Sequence, residues 1–357
     1  MLNSAIDKYK VRSDSSIKKA IKQLDTGGLG FCVVVNNEDT VVGIITDGDF
    51  RRSILNGINL EGNVMEIANR HYKYLTAGYS RADAVNLFLE GKNIKHLPVL
   101  KGDKLVDIIT EKDLISYGEM NSRKKKLDNL VVIMAGGLGT RLDPFTAILP
   151  KALIPIGDKG MIELIMDKYL EYGMNHFLIS VNHKARMIKA YFEEQQSGYQ
   201  INYLEEDKPL GTAGALKNLE HRTKKPFFVS NCDIIINDNY TEIYDFHING
   251  GFELTIVASL HYQTIPYGVC EIDDGGVLKR IIEKPEANFL VNTGMYILNP
   301  NVLGLIPENT FYNMTDLIAD LQNQKRRIGV YPVPEKSWID VGQWEQYRNA
   351  VNVLKMG

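Results

Sequence analysis

Leu130-Val131-Val132-Ile133-Met134-Ala135-Gly136-Gly137-Leu138-Gly139-Thr140-Arg141-Leu142 passes from an unbroken apolar run to a glycine loop and then to a cation. An apolar run of this length, ended by glycine, spells a strand buried on both faces. Glycines after it let the backbone approach a ligand closely and turn N–H groups toward phosphate oxygens. A tight strand-exit turn is the plainer reading of the same glycines. Two familiar phosphate loops are excluded. A dinucleotide fingerprint needs Gly at position 142, where Leu142 stands, and a P-loop needs Gly-Lys-Ser/Thr after its fourth spacer.

Downstream, apolar runs alternate with helical patterns. A helix over 161–172 precedes a run over 176–181. A helix over 184–195 precedes one over 201–204. Helices over 213–219 and 239–248 flank a run over 227–229, and a further run covers 253–259. Such alternation predicts an α/β domain: a Rossmann-like, mostly parallel mixed sheet with helices on both faces.

Upstream the pattern is a repeat. Val42-Gly43-Ile44-Ile45-Thr46-Asp47-Gly48-Asp49-Phe50 returns as Val106-Asp107-Ile108-Ile109-Thr110-Glu111-Lys112-Asp113-Leu114. Each copy follows a helix-like stretch (16–24, 81–90) and a short apolar run (31–35, 97–100). The polar, basic segment after the second copy reads as a solvated connector. The expected division is therefore a repeat module over 1–122, a linker over 123–129 and an α/β domain over 130–357.

The balance of 41 basic and 44 acidic residues gives a net charge of −3. No positive excess calls for nucleic acid or an anionic membrane as a partner. Cys32, Cys232 and Cys270 are too few and too scattered for a disulfide framework or a metal cluster. No signal-like apolar core or membrane-length run is present, so a cytoplasmic protein is expected.

Residues 134–163, which continue through Pro150-Lys151, resemble the signature of sugar-1-phosphate nucleotidyltransferases. The resemblance implies a glycosyltransferase-A-like fold. It also implies that Arg141 and Lys151 are catalytic, clamping the triphosphate and the reacting α-phosphate. Ala135, Gly136, Gly137, Gly139 and Thr140 would line the nucleotide. Pro209-Leu210-Gly211-Thr212-Ala213-Gly214 resembles the second glycine loop, with Gly211 and Thr212 over the base. Ser230-Asn231-Cys232-Asp233 and Trp338-Ile339-Asp340-Val341-Gly342 resemble the two metal-binding turns, which implies Asp233 and Asp340 as Mg²⁺ ligands. Tyr267, Gly268, Glu283, Lys284 and Asn292 fall in the segments implied to hold the sugar phosphate. Cys232 and Gly160 depart from the commoner Gly and Pro.

These residue types suit that reaction. The nucleophile is a phosphate oxygen, already anionic, so no Ser, Cys or His nucleophile is needed. The obstacle is repulsion between anions, which cations and oriented donors relieve. Arg141 can grip phosphate with two hydrogen bonds, and Lys151 acts as a point charge. Asp233 and Asp340 offer hard oxygen ligands, although each could equally cap a turn.

Guanine presents two adjacent donors on its Watson–Crick edge, which one carboxylate can accept together. Glu205 and Glu206 lie just before Gly211, where the resemblance implies a side chain on that edge of the base, so Glu206, or alternatively Glu205, points to GTP. Two solvated glutamates remain the plainer alternative.

The N-terminal repeat resembles a tandem pair of CBS domains. In such pairs Thr46, Asp49, Thr110 and Asp113 would hold a nucleotide effector, although many such pairs only dimerise. A CBS pair in front of this catalytic domain resembles the glucosamine-1-phosphate guanylyltransferases of bacterial legionaminic acid synthesis. The expected partners are GTP and glucosamine 1-phosphate, with a homo-oligomer of at least two chains. Mannose 1-phosphate with GTP, a hexose 1-phosphate with UTP or dTTP, and a non-catalytic nucleotide-sugar sensor are the alternatives.

Overall fold

Val131, Val132 and Ile133 are fully buried, and they point alternately into two different cores. That is why the Val131–Met134 strand carries no polar residue: it lies inside a sheet covered on both faces. The computed structural model describes residues 4–55, 57–90, 94–110, 113, 125–194, 198–342 and 347–348. Residues 123 and 124 of the expected linker lie outside these, as do Glu111, Lys112 and Leu114 of the second repeat motif and positions 343–346 and 349–357.

The chain divides into two units, Met1–Tyr117 and Gly118–Gly357. The first contains the repeat. Strands Lys10–Arg12, Phe31–Val35 and Val41–Thr46 form one sheet, and Leu75–Thr76, His96–Lys101 and Lys104–Thr110 form its counterpart. Helices Ile17–Gly27 and Arg81–Glu90 occupy matching places. Ser16 caps the first helix, accepting from the Lys19 N–H, as short hydroxyl side chains do at helix starts. A further helix, Asp47–Leu55, opens on the first Thr-Asp-Gly-Asp motif.

The second unit is built on a seven-stranded sheet. Gln200–Glu205, His176–Val181, Val131–Met134 and Phe227–Asn231 run parallel, in that spatial order. Glu286–Leu298 then pairs antiparallel with Phe227–Asn231 and with Leu254–Thr264, and Ile328–Pro334 closes the sheet parallel to the latter. The sheet is thus mixed and mostly parallel. Helices Met161–Leu170, Ala185–Glu193 and Tyr240–Asn249 cover one face. Met314–Asn323 and two runs of 3₁₀ turns, Gly214–Leu219 and Pro300–Leu305, cover the other. Tyr169, Phe228 and Tyr240 meet edge-on or stacked in the first core, with ring centroids 4.8 to 6.2 Å apart. Burying side chains of this size stabilises the fold by about 2 kcal/mol each.

The elements differ from the sequence reading at two places. The segment over 213–219 forms a 3₁₀ run, Gly214–Leu219, and not an α-helix, and the Ala213 and Gly214 N–H groups at its start donate to the Tyr312 carbonyl. The apolar run over 253–259 is the first half of a strand reaching Thr264. The register of that strand against Glu286–Leu298 shifts between Val257 and Ala258. The shift leaves Thr293 and Gly294 as a bulge, pinned by the Thr293 hydroxyl donating to the Val257 carbonyl at 2.7 Å. Bulges of this kind re-aim the residues beside them.

Candidate functional site

The strand order reverses around Val131–Met134: its next parallel strand in sequence lies on one side and Phe227–Asn231 on the other. Ligands of open α/β sheets bind outside the carboxyl ends of the strands at such a switch point. Met134 and Asn231 end these two strands side by side, so the glycine loop and the Asn231-Cys232-Asp233 turn leave the sheet together.

The glycine loop is shaped by Leu142, which is fully buried, and by Gly139. Gly139 has φ +71°, and a Cβ there would stand 2.9 Å from both Lys151 Cβ and Thr146 Cγ2. Only glycine meets both the backbone angle and the space. The Thr146 hydroxyl donates to the Gly139 carbonyl (3.1 Å) or the Asp143 carboxylate (2.6 Å), and the Thr146 carbonyl accepts from Lys184 Nζ at 2.7 Å. Thr140 and Arg141 are exposed, whereas Ala135 is buried and its N–H donates to the Ser180 carbonyl.

Asp233 and Asp340, far apart in sequence, meet through a two-stranded ladder. Ile234–Ile236 pairs antiparallel with Trp338–Asp340, placing Ile234 opposite Asp340, and the Val341 N–H donates to the Asp233 carbonyl at 2.9 Å. Lys151 Nζ forms an ion pair with Asp233 Oδ2. A Cβ on Gly342 would stand 2.6 Å from Asp233 Oδ2, 2.9 Å from Asp340 Oδ1 and 3.4 Å from Lys151 Nζ. Two carboxylates and an ammonium therefore converge on one point beside the loop. This oxygen-donor set fits a hard divalent cation.

Of the two glutamates, Glu205 is exposed and paired with Lys189 at 2.5 Å. Glu206 is buried against the loop: a Gly136 Cβ would lie 3.0 Å from its Oε1. Its Oε1 accepts from the Ser180 hydroxyl, its Oε2 accepts from the Leu210 N–H (3.0 Å), and Asn182 Nδ2 donates to its carbonyl (2.6 Å). Glu206 thus joins both glycine loops to the strand that carries Ser180. Ser180 and Asn182 were not legible in the sequence, since nothing marks a buried strand-end serine as a partner for a carboxylate.

The second loop owes its glycines to close backbone contact. A Cβ on Gly211 would stand 2.7 Å from the Tyr312 carbonyl. The Thr212 hydroxyl accepts from the Met314 N–H at 2.9 Å, which fastens the loop to the start of the Met314–Asn323 helix. Tyr267, Gly268, Glu283 and Lys284 come together at one end of a two-stranded ribbon, Gly268–Ile272 with Leu278–Glu283. Gly268 faces Glu283 in it, and the Lys284 N–H donates to the Tyr267 carbonyl. All four are exposed. Asn292 lies on the central sheet, where its amide donates to the Tyr296 hydroxyl and accepts from the Gly294 N–H.

In the first unit, each Thr–Asp pair closes on itself. Asp49 Oδ2 accepts from the Thr46 N–H (2.9 Å) and hydroxyl (2.7 Å). Asp113 Oδ2 accepts likewise from Thr110 at 2.7 and 2.6 Å.

Residues 130–356 match the nucleotidyl transferase family profile, and residues 6–56 and 64–119 match the CBS domain profile. The chain belongs to the nucleotidyl transferase family and carries a CBS pair before the transferase domain. It is similar to the mannose-1-phosphate guanyltransferase of Candida albicans, 35% identical over 223 residues, covering 59% of this chain and 60% of that one. It is also similar to the mannose-1-phosphate guanylyltransferase catalytic subunit beta of Drosophila melanogaster, 30% identical over 220 residues, covering 59% of each chain. The chain thus spans about three-fifths of the length of these curated relatives. Among solved structures it is similar to HddC from Yersinia pseudotuberculosis, with TM-score 0.51 and 25% identity over 63% of this chain and 99% of that one. HddC has also been solved in complex with GMP-PN. Among the described residues, no helix is long and apolar enough to cross a membrane.

Proposed function

We propose that this chain transfers a guanylyl group from GTP to a sugar 1-phosphate. A phosphate oxygen of the sugar 1-phosphate attacks the α-phosphorus of GTP. The bond from that phosphorus to the β-phosphate oxygen breaks, and pyrophosphate leaves. The observation that carries this reading is the convergence of Lys151, Asp233 and Asp340 at the exit of the glycine loop.

Each residue has a task in this account. Backbone N–H groups of Gly136, Gly137 and Gly139 with Arg141 hold the triphosphate. Lys151 offsets charge growing at the α-phosphate. Asp233 and Asp340 would hold Mg²⁺, which when bound neutralises charge between the two reacting phosphates. Tyr267, Gly268, Glu283, Lys284 and Asn292 hold the sugar phosphate.

The guanine preference is supported by Glu206, whose carboxylate abuts the loop, and by the names of the relatives and the GMP-PN complex of HddC. Glucosamine 1-phosphate is the favoured acceptor, because of the CBS pair in front of the transferase domain and its resemblance to legionaminic acid enzymes. Mannose 1-phosphate is the second reading, supported by the relatives' names. The protein acts in the cytoplasm as a homo-oligomer. A nucleotide at Thr46, Asp49, Thr110 and Asp113 regulates it.

The test is turnover of four nucleoside triphosphates against glucosamine, N-acetylglucosamine, mannose and glucose 1-phosphates. GTP with glucosamine 1-phosphate is expected to turn over fastest, and faster turnover with UTP or dTTP would overturn the guanine assignment. For the CBS pair, calorimetry of adenine nucleotides against the whole chain is expected to detect binding that Asp49→Ala with Asp113→Ala removes.

A further inference from the structure

Lys151 does more here than wait for a phosphate. It sits on a 3₁₀ turn, Lys151–Leu153, directly after Pro150. Its stem lies so close to Gly139 that a Cβ there would touch its Cβ and Cδ at 2.9 and 3.3 Å. Its ammonium is paired with Asp233, and both side chains are only 11% exposed. Asp340 stands on the other side of the same point, with its Oδ1 accepting from the Gly342 N–H at 2.7 Å.

We propose that Lys151 is a resident counter-ion occupying the metal's side of Asp233, so that a divalent cation binds well only when a nucleotide is present to take the lysine. The inference rests on the reading of Asp233 and Asp340 as metal ligands. A divalent cation on Asp233 Oδ2 would stand about a hydrogen bond's length from an ammonium still in place. In a site this buried, that repulsion is large. The lysine must therefore leave, and a buried ammonium without a partner is costly. With no nucleotide bound, cation binding carries that cost. With a nucleotide bound, the freed ammonium swings on its Gly139-anchored stem to the phosphates, and the cost disappears. By linkage, metal tightens nucleotide to the same degree that nucleotide tightens metal. The site would thus assemble in one step, and free Mg²⁺ would not fill it in advance.

The test is Mn²⁺ binding to the whole chain, followed by electron paramagnetic resonance, without nucleotide and with a non-reactive GTP analogue. Lys151→Met keeps the stem and removes the charge. It is expected to tighten Mn²⁺ binding without nucleotide by about tenfold, and to shrink the further gain that the analogue brings by the same factor. Arg141→Met removes an exposed, solvent-screened charge outside the pair and is expected to change Mn²⁺ binding without nucleotide by less than about twofold. Unchanged or weaker Mn²⁺ binding in Lys151→Met would overturn the proposal, as would an equal gain in Arg141→Met. Lys151→Gln, which offers Asp233 a neutral donor, serves in place of Lys151→Met if thermal melting shows that variant unfolded. Should the wild type fail to bind Mn²⁺ even with the analogue, the metal-ligand reading itself falls. Should it bind while the variants show no ordering, only the counter-ion role falls.

Discussion

Asp340 lies opposite Ile234 in an antiparallel pair, which places its carboxylate beside that of Asp233, the residue preceding Ile234. The ladder beside Asp233 and the Val341 N–H bond to the Asp233 carbonyl set their separation. Asp233→Asn and Asp340→Asn should each lower the rate of pyrophosphate release about a hundredfold or more, as loss of transition-state charge stabilisation does. The melting temperature should stay near the wild-type value for Asp340→Asn and should fall for Asp233→Asn, which leaves the buried Lys151 ammonium without its carboxylate. A large fall in melting temperature with normal kcat would instead mark both as structural caps.

Gly342 gives a second handle on the same point. A methyl group there would come within 2.6 Å of Asp233 Oδ2 and 2.9 Å of Asp340 Oδ1. Gly342→Ala should therefore push the carboxylates apart and weaken metal-dependent activity by about tenfold or more, while the two large cores stay intact. Metal titrations of activity check this, with a raised metal requirement as the expected sign.

At Gly160 the backbone has φ −68° and ψ 148°, a conformation proline adopts freely. Its N–H, however, donates to the Tyr191 hydroxyl at 3.2 Å, and that hydroxyl donates to Glu163 at 2.7 Å. Gly160→Pro would stiffen the unfolded chain and lose one hydrogen bond. The lost hydrogen bond, and the ring Cδ set against the Tyr191 hydroxyl in place of the N–H, outweigh the gain, so Gly160→Pro should destabilise by more than about 1 kcal/mol. Denaturant unfolding measures this, and the rate of catalysis should be unaffected.

Burial pushes the Cys32 thiol up to about 12. Burial, reinforced by the neighbouring Asp233 carboxylate, does the same for Cys232, also to about 12. Cys270 is exposed. Thiolates are the reactive form, so the native chain at pH 8 should take up a single alkyl group, at Cys270, and three once unfolded. Rapid native labelling of Cys232 would contradict the closed packing around Asp233.

His247 is buried, with Nδ1 facing the Thr255 hydroxyl at 2.8 Å and Nε2 facing Asn299 Oδ1 at 3.5 Å. Burial lowers its pKa below the usual 6.5, and the Asn299 contact opposes this in part. Between the lowered folded value and 6.5, the unfolded chain binds more protons than the folded one. The stability contributed by neutral His247 is therefore complete above pH 6.5 and is lost as pH falls through the lowered value. The stability gap between wild type and His247→Gln should narrow from pH 7 to pH 5, as read by denaturant unfolding at each pH.

The parts of this molecule legible in the sequence were those in which one residue type has one use. The buried strand before Gly136, the repeated Thr–Asp motif and the cation at Lys151 stand out for that reason. The antiparallel half of the sheet was not legible beyond residue 259. Its register depends on a bulge at Thr293 and Gly294 that answers to a carbonyl on another strand. The glycines of the second loop suggested a ligand, yet Gly211 is also required by the Tyr312 carbonyl behind it. The attachment of Glu206 to Ser180 and Leu210 joins three separate segments, and no local pattern encodes it.

Nucleotidyl transfer is measured most directly by following the α-phosphate. Whole protein with Mg²⁺, GTP labelled at the α-phosphate and glucosamine 1-phosphate should give labelled GDP-sugar and pyrophosphate in equal amounts, and the Asp233→Asn variant should give almost none. Labelled GTP that binds but yields no pyrophosphate with any sugar 1-phosphate would contradict the account and leave a nucleotide sensor in its place.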